Sequence, residues 1–229
     1  MFEILLEDNH CLAINKPAGL LSQGDATGDP SVVDLAADYL RSAYAKPGNV
    51  YVGLVHRLDR PTSGVLLLAR TSKAAARLSD QFRNGQVTKN YIALAEGNWP
   101  DDAGVWEDWL AKDRLTNVVS ITAPGRNDSR RARLSYRVIG RGPRIVTFEL
   151  TPTTGRGHQL RVQLASRGLP IVGDRKYGAS SILQTIDGHS RIALHARCLK
   201  LRHPTRPETL EIEAPFPADW PVGGLIGTR

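Results

Sequence analysis

A short charged turn between two apolar segments constrains this chain more than any other feature. Residues 55–64 read VHRLDRPTSG, and β-prone apolar residues lie on both sides of them. A strand pattern before and after the turn places Asp59 in a loop that is held at both ends. The ordinary interpretation is that Asp59 closes the turn by accepting hydrogen bonds from the amides that follow it. The alternative is a functional carboxylate between Arg57 and Arg60.

The rest of the chain is patterned as paired strands with a few helices between them. The sequence predicts a hairpin over 2–15, helices over 31–43, from 72 and over 191–198, and strands over 65–70, 87–95, 131–138, 144–151 and 209–213. Ser31 and Ser72 are the expected helix N-caps. We expect irregular strands and loops over 97–124, where three tryptophans act as packing anchors. Adjacent strand pairs indicate an α+β fold with a mixed, largely antiparallel sheet and flanking helices. A chain of 229 residues is expected to form one domain over 1–229.

The chain carries an excess of positive charge that is concentrated locally. Lysine and arginine outnumber the acids by 30 to 23, which gives a net charge of +7. Between 126 and 144 the sequence has one acid, Asp128, and seven arginines: Arg126, Arg130, Arg131, Arg133, Arg137, Arg141 and Arg144. Clustered arginine favours a polyanion, because guanidinium binds phosphate and stacks on bases. The alternative is a solvated basic strand pair without a ligand.

The sequence argues against a secreted, membrane or zinc protein. Acidic residues occupy the N-terminus, where a signal peptide needs basic ones, and no apolar run reaches the roughly 20 residues of a membrane span. Cys11 and Cys198 are too few for a disulfide framework, and the histidines show no zinc-ligand spacing with them. We therefore expect a cytoplasmic protein with no membrane partner, and a monomer is the plain expectation.

A glycine-rich turn forms the second informative stretch, with TGRGHQLR at 154–161. It leads into a predicted helix, so Arg156 would lie at a helix entrance where backbone amides attract an anion. That anion could be an RNA phosphate or a buried carboxylate such as Asp59. The alternative is a surface arginine in a loop. On the strand over 87–95, Lys89 and Tyr91 share one face because side chains repeat with period two.

Together these motifs resemble the RluA-type RNA pseudouridine synthases, and they occur in that family's order. The matching elements are KPAGL at 16–20, HRLD at 56–59 with TSG at 62–64, Lys89-x-Tyr91-x-Ala93, TGR-x-HQLR at 154–161, and LHA at 194–196 followed by His203-Pro204. The resemblance runs from about residue 1 to residue 217. It implies a stand-alone catalytic domain with the pseudouridine synthase fold and without the S4-like RNA-binding module that some relatives carry.

The activity implied by this resemblance is isomerisation of uridine to pseudouridine in structured ribosomal RNA or tRNA. By similarity Asp59 is the catalytic carboxylate, and Arg156 would favour its ionised form. Tyr91 resembles the aromatic residue that packs on the target base, and Leu160 resembles its apolar contact on that base. No metal or organic cofactor is implied.

The resemblance also suggests residues that contact the RNA. Arg57 resembles a position that, in some members, inserts into RNA in place of the displaced nucleotide. His56 and Lys89 are further candidates for substrate contact, together with Arg130, Arg131 and Arg133 of the arginine-rich stretch. Two departures from the family pattern lie beside the site, since Gly157 stands where many members have Thr and Gln163 where many have His.

Two other functions fit parts of the sequence. An RNA-binding or RNA-folding factor with secondary or lost catalytic activity would explain the charge, but a pure binding module has no need for a carboxylate that repels phosphate. A basic structural protein of the ribosome would leave the motifs around Asp59 and Arg156 unexplained.

Overall fold

The computed structural model describes residues 2–45, 47–126 and 128–221. The elements in chain order are β1 (Glu3–Glu7), β2 (Cys11–Lys16), α1 (Val32–Ala43), β3 (Gly53–Leu54), β4 (Ser63–Ala69), α2 (Ser72–Arg83), β5 (Thr88–Glu96), β6 (Ala103–Lys112), β7 (Val119–Thr122), β8 (Arg130–Arg141), β9 (Ile145–Pro152), α3 (Gln159–Ala165), β10 (Leu194–Arg202) and β11 (Thr209–Glu213). The α+β prediction with largely antiparallel strand pairing is confirmed.

The chain divides into two compact units. Unit 1 contains the residues up to Thr88 together with Ala196–Pro217, and unit 2 contains Lys89–His195 together with the residues from Ala218. The single domain over 1–229 stays a prediction, and each unit is described by itself.

Unit 1 is built around the buried strand β4. Its strand order is β1-β2-β4-β10, with β11 paired to β10 and the two-residue β3 paired to β4. All seven residues of β4 are buried, which explains its continuous apolar run. The core packs Leu67 of β4 against Leu78 of α2 and Leu199 of β10. The loop that carries Asp59 enters β4 and is therefore fixed to the centre of this unit.

The two helices of unit 1 begin close to where the sequence predicts. Ser31 caps α1 in a capping box with Asp34, as expected. The cap of α2 is Thr71 and not Ser72, because Thr71 has extended backbone angles and its side chain accepts from the amide of Ala74. Ser72 is the first residue inside that helix.

Unit 2 contains an antiparallel sheet in the order β5-β9-β8-β6-β7. On β8 the residues Ala132, Leu134 and Tyr136 are buried, and Arg131, Arg133 and Arg137 on the alternate positions are exposed. The predicted tryptophan anchors are confirmed for Trp99 and Trp106, whose rings lie 5.4 Å apart and contact Tyr136. The sheet thus buries one face of β8 and presents its arginines on the other.

Two predictions of local structure are wrong. Residues 97–124 contain the ten-residue strand β6, which pairs with β8 over eight residues and is not irregular. Residues 191–198 do not form a helix, because the strand β10 begins at Leu194. Leu194, His195 and Ala196 are all buried. A short segment that is buried on both faces shows no alternation of apolar and polar residues, so its sequence pattern does not distinguish a strand from a helix.

Gly64 shows why the TSG motif ends in glycine. Its φ is +114°, and a Cβ at this position would lie 2.3 Å from the carbonyl oxygen of Ala196. Only glycine permits both this backbone conformation and this close approach between β4 and β10.

Candidate active site

The loop over 55–62 carries Asp59 and is closed by main-chain hydrogen bonds. The amide of Thr62 donates to the backbone carbonyl of Asp59 over 3.0 Å. Next to it, the buried Leu58 exchanges hydrogen bonds with the hydroxyl of Ser22, at 2.8 Å from its carbonyl and 3.2 Å from its amide. Asp59 itself is half-buried. This loop, called the Asp59 loop below, is thus fixed on both sides of the carboxylate.

Lys16 lies fully buried against the same loop. Its Nζ donates to the carbonyls of Pro17, Leu20 and Arg60, over 2.9, 2.8 and 3.2 Å. The three N–H groups of an ammonium match these three acceptors. Burial lowers the pKa of Lys16 to about 7, and the negative charge of Asp59 acts in the opposite direction. Lys16 therefore ties the KPAGL turn to the residue that follows Asp59.

His56 fixes the start of the loop. Its Nε2 accepts from the amide of Leu67 over 2.9 Å, and its ring stacks on Phe82 at 4.6 Å. A nitrogen that accepts a hydrogen bond carries no proton, so the neutral ring has its proton on Nδ1. These contacts support a positioning role for His56. Its neighbour Arg57 is exposed.

In unit 2, Tyr91 and Lys89 lie on the same strand, β5. Tyr91 pairs with Leu150 of β9 and is half-buried. Lys89 donates through Nζ to the carbonyl of Thr154 over 3.2 Å. Burial lowers the pKa of Lys89, and the positive charge of Arg156 lowers it further. The structure thus brings Lys89 together with the glycine-rich turn that contains Arg156.

Gln159 organises that turn. Its Oε1 accepts from the amide of Arg156 over 3.1 Å and from the hydroxyl of Thr154 over 2.8 Å. Its Nε2 donates to the carbonyl of Arg133 over 3.1 Å. Arg156 is exposed, and its Nε donates to the carbonyl of Arg131 over 3.0 Å. The helix α3 begins only at Gln159 and its N-cap has no side-chain hydrogen bond, so Arg156 lies three residues before the helix.

The sequence interpretation missed Arg161, which lies in the same motif. Arg161 is 5% exposed and binds both carboxylate oxygens of Asp174, over 2.7 and 2.8 Å. Its guanidinium also lies 5.0 Å from the ring centre of Tyr177. A bidentate pair of this kind holds the arginine in one orientation. The sequence signal that could have identified Arg161 is its position directly after Leu160, because an arginine beside a buried residue needs a partner for its charge.

Gln163, the departure from the family's His, is also a buried network residue. It accepts from Gln159 over 3.1 Å and donates to Asp108 over 2.7 Å. Leu160, the predicted base contact, is 7% exposed. The first turn of α3 is therefore tied to both the glycine-rich turn and β6.

The β8 arginines have more acidic neighbours than the sequence suggested. Arg131 and Arg133 both bind Glu107 of β6, over 2.6 and 3.2 Å. Further along the strand, Arg137 binds Glu149 and Arg141 binds Asp102. Asp128 is the one acid within the stretch itself, but the fold brings these further acids to it from elsewhere in the sequence. Arg130 is exposed at the start of the strand.

Comparison with known proteins identifies this set of motifs. Residues 10–166 match the family model described as RNA pseudouridylate synthase. The chain belongs to this family. The matched range includes the Asp59 loop, Tyr91 and the glycine-rich turn, which are the elements described above.

Curated relatives of this pseudouridylate synthase chain include bacterial proteins. The chain is 34% identical over 215 residues to ribosomal large subunit pseudouridine synthase C of Vibrio vulnificus, covering 93% of this chain and 65% of that protein. It is 36% identical over 220 residues to an RNA pseudouridine synthase of Bacillus subtilis, covering 95% and 69%. The chain thus spans about two thirds of the length of these relatives.

Solved structures of human proteins share the fold of this pseudouridylate synthase chain. Human RNA pseudouridylate synthase domain containing 4 has a TM-score of 0.77 at 26% identity, covering 94% of this chain and 89% of that one. Human RNA pseudouridylate synthase domain containing 1 has a TM-score of 0.70 at 27% identity, covering 95% and 84%. The predicted pseudouridine synthase fold is therefore confirmed.

The candidate residues of this family member fall into two groups. Unit 1 holds Asp59, His56 and Arg57 on one loop. Unit 2 holds Tyr91 and Lys89 on β5 and Leu160 on α3, and there Arg156 contacts the backbone of β8. In unit 1, main-chain hydrogen bonds hold the loop on both sides of Asp59, and in unit 2, Lys89 and Arg156 bond to backbone carbonyls of Thr154 and Arg131. The individual roles of the predicted residues stay predictions.

Proposed function

We propose that this chain isomerises uridine to pseudouridine in structured RNA. The reaction breaks the bond from C1′ of the ribose to N1 of uracil and forms a bond from C1′ to C5. The proton on C5 is released to solvent and N1 gains a proton, so substrate and product are isomers. The observation that carries the proposal is an aspartate in the family's HRLD motif, on a loop held by Lys16 and Ser22.

Asp59 is proposed as the catalytic carboxylate. A carboxylate that acts on one ribose and one base has to be held in a fixed position relative to them. The hydrogen bonds at Leu58, Arg60 and Thr62 restrain the backbone on both sides of it. These restraints hold Asp59 in the fixed position that a catalytic carboxylate requires.

Base contact is assigned to Tyr91 and Leu160. An aromatic face holds a base that has left its helix, and an apolar side chain excludes water beside it. Arg156 is the third residue of the proposed catalytic set, as a cation that binds an anion such as an ionised carboxylate or an RNA phosphate. Arg161 has a rigid, buried guanidinium, so it is a second candidate for the same task.

RNA backbone contact is assigned to exposed cations. Arg57 lies on the Asp59 loop, and Arg130, Arg131 and Arg133 lie on β8. Lys89, which is part-buried beside the glycine-rich turn, is a further proposed RNA contact on the same strand as Tyr91. His56 serves as the residue that positions the loop.

The proposed substrate is ribosomal RNA or tRNA, and the protein is proposed to act as a cytoplasmic monomer. The Vibrio relative carries the name of a ribosomal large subunit enzyme, which makes ribosomal RNA the first substrate to test. Among the described residues, every helix is too short or too polar to cross a bilayer.

The test is mapping of pseudouridine by mass spectrometry after selective chemical labelling of the product. Ribosomal RNA and tRNA are incubated with wild-type protein or with Asp59→Asn, which keeps the shape of the side chain and removes its charge. We expect conversion by the wild type only, with RNA binding retained in the variant. Conversion by Asp59→Asn at the wild-type rate would refute the assignment. Tight binding without conversion by either protein would favour the RNA-binding factor.

A further inference from the structure

A basic cleft of about 590 Å³ lies in unit 1, beside the loop that joins β10 and β11. Three arginines line it: Arg77 of α2, Arg202 at the end of β10, and Arg206 of the loop. Glu208 is the one acid among the described residues that line it. None of these residues belongs to the candidate active site, although the His203-Pro204 motif forms part of the cleft wall.

The loop beside the cleft is rigid. The side chain of His203 is fully buried, its Nδ1 accepts from the amide of Arg206 over 2.9 Å, and its Nε2 lies 2.8 Å from Asp8. Arg206 also binds Asp8 and, over 3.0 Å, Glu208. Pro204 further restricts the backbone. The cleft is therefore formed before any ligand binds.

The same contacts argue against a metal ion at this place. Asp8, Cys11 and His203 place their potential ligand atoms within 4.8 Å of one another. However, Nδ1 of His203 accepts a backbone amide, so the neutral ring carries its proton on Nε2 and donates to Asp8. A metal at Nε2 would have to displace that proton, and the cation of Arg206 already binds the carboxylate.

Arg77 and Arg202 differ from other exposed arginines of unit 1. Arg41 and Arg83 each bind an aspartate three residues earlier, over 2.6 Å. Across the described residues, by contrast, no ion pair is formed by Arg77 or Arg202. Arg77 donates to the carbonyl of Pro204 over 2.7 Å, which holds its guanidinium against the cleft. Their charges are thus available to an external anion without loss of an internal ion pair.

We propose that this cleft binds a phosphodiester of the RNA substrate through Arg77 and Arg202. A rigid concave surface with two uncompensated guanidiniums suits phosphate, because arginine binds phosphate oxygens in a bidentate manner. The contact adds affinity and orientation without reading sequence, as backbone contacts do. The inference rests on the proposed function, because it takes RNA as the ligand.

The experiment compares the salt dependence of RNA binding in two double variants. Fluorescein-labelled ribosomal RNA fragments are titrated by anisotropy with wild type, R77A/R202A and R41A/R83A, from about 50 to 200 mM salt. Both variants lose two positive charges, but only the first loses the cleft arginines. We expect R77A/R202A to bind more weakly, with a log–log salt slope lower by about two, and R41A/R83A to stay close to wild type. Thermal unfolding of each variant confirms that the fold is intact.

Pseudouridine formation is measured in the same samples. A failure of the cleft assignment can then be distinguished from a failure of the proposed function. Conversion by wild type with an equal slope in R77A/R202A and R41A/R83A overturns the cleft assignment alone. A lower slope specific to R77A/R202A without any conversion supports the cleft and refutes the proposed function. Absence of RNA binding by wild type would overturn both.

Discussion

The Asp59 loop and the β8 arginines are both charged regions, and the structure holds them in opposite ways. In the loop, buried groups such as Lys16 and Ser22 bind main-chain atoms, so each hydrogen bond fixes the backbone. On β8, Arg131 and Arg133 are 56% and 48% exposed and bind a side chain that is itself 39% exposed. Buried hydrogen bonds are costly to lose, whereas exposed ion pairs contribute at most about 1 kcal/mol.

This difference suits the two proposed tasks. A catalytic carboxylate has to be held in one place, and the cost of moving its loop protects that position. A surface that follows an RNA backbone can use weak, exchangeable pairs, because a phosphate can take the place of Glu107. Three variants compare strongly hydrogen-bonded groups with exposed ion pairs, beginning with the largest expected effect on stability.

Lys16→Met should have the largest effect. It removes the buried donor to the carbonyls of Pro17, Leu20 and Arg60, although Gly19 still bonds to Arg60. We therefore expect a loss of about 3 kcal/mol in the free energy of unfolding. Urea denaturation measures it. The matched control is Lys200→Met, since Lys200 is exposed and bound to Glu211. Equal losses in both variants would remove the distinction between the two regions.

Glu96→Gln should have an intermediate effect that depends on pH. Burial raises the pKa of Glu96, but hydrogen bonds from Ser181 and Ser180 outweigh it and lower the pKa to about 2. Because the folded pKa lies below its ordinary value of 4.5, the stabilisation is complete above pH 4.5 and disappears as the pH falls to about 2. After allowance for solvent screening, we expect Glu96→Gln to cost about 1 kcal/mol at neutral pH and almost nothing at the acid end.

Thermal unfolding of wild type and Glu96→Gln across this pH range checks the expectation. Glu107→Gln serves as the surface control, because exposed Arg131 and Arg133 lower the pKa of Glu107 in the same direction. We expect a weaker pH dependence of the stability difference for Glu107. A stronger pH dependence for Glu107 would show that the exposed ion pairs on β8 contribute more to stability than the hydrogen bonds of Glu96.

Replacement of Arg130, Arg131 and Arg133 by alanine should have the smallest effect on folding and a clear effect on RNA. The salt slope of binding should fall by roughly one unit for each lost phosphate contact, with stability changed by less than about 0.5 kcal/mol. Glu107→Gln should move the slope in the opposite direction, because it releases two arginines. If the triple variant kept the RNA affinity and salt slope of wild type, the β8 arginines would be a solvated surface that does not bind RNA.

Local signals in the sequence were sufficient for much of unit 1. The helical spacing and capping residues predicted α1 and α2 to within a residue or two, and turn residues predicted the hairpin of β1 and β2. These features depend on neighbours a few positions apart, which a single sequence shows. Motif order then led from the Asp59 loop to the family.

The sequence was less informative where distant residues meet. Glu107 lies 24 positions before Arg131, and only the pairing of β6 with β8 brings them together. The pair of Arg161 with Asp174 is equally invisible in the sequence, and so the role of Arg161 was missed. The strand β10 was predicted as a helix because burial on both faces removes the period.

The most direct test of the central claim measures release of the C5 hydrogen. RNA containing uridine tritiated at C5 is mixed with excess enzyme, so that one turnover is followed. Wild type should release tritium to solvent as pseudouridine forms, because C5 loses its hydrogen when it bonds to C1′. Asp59→Asn should bind the same RNA with equal affinity and release none. Tritium release by Asp59→Asn at the wild-type rate would contradict the assignment of Asp59 as the catalytic residue.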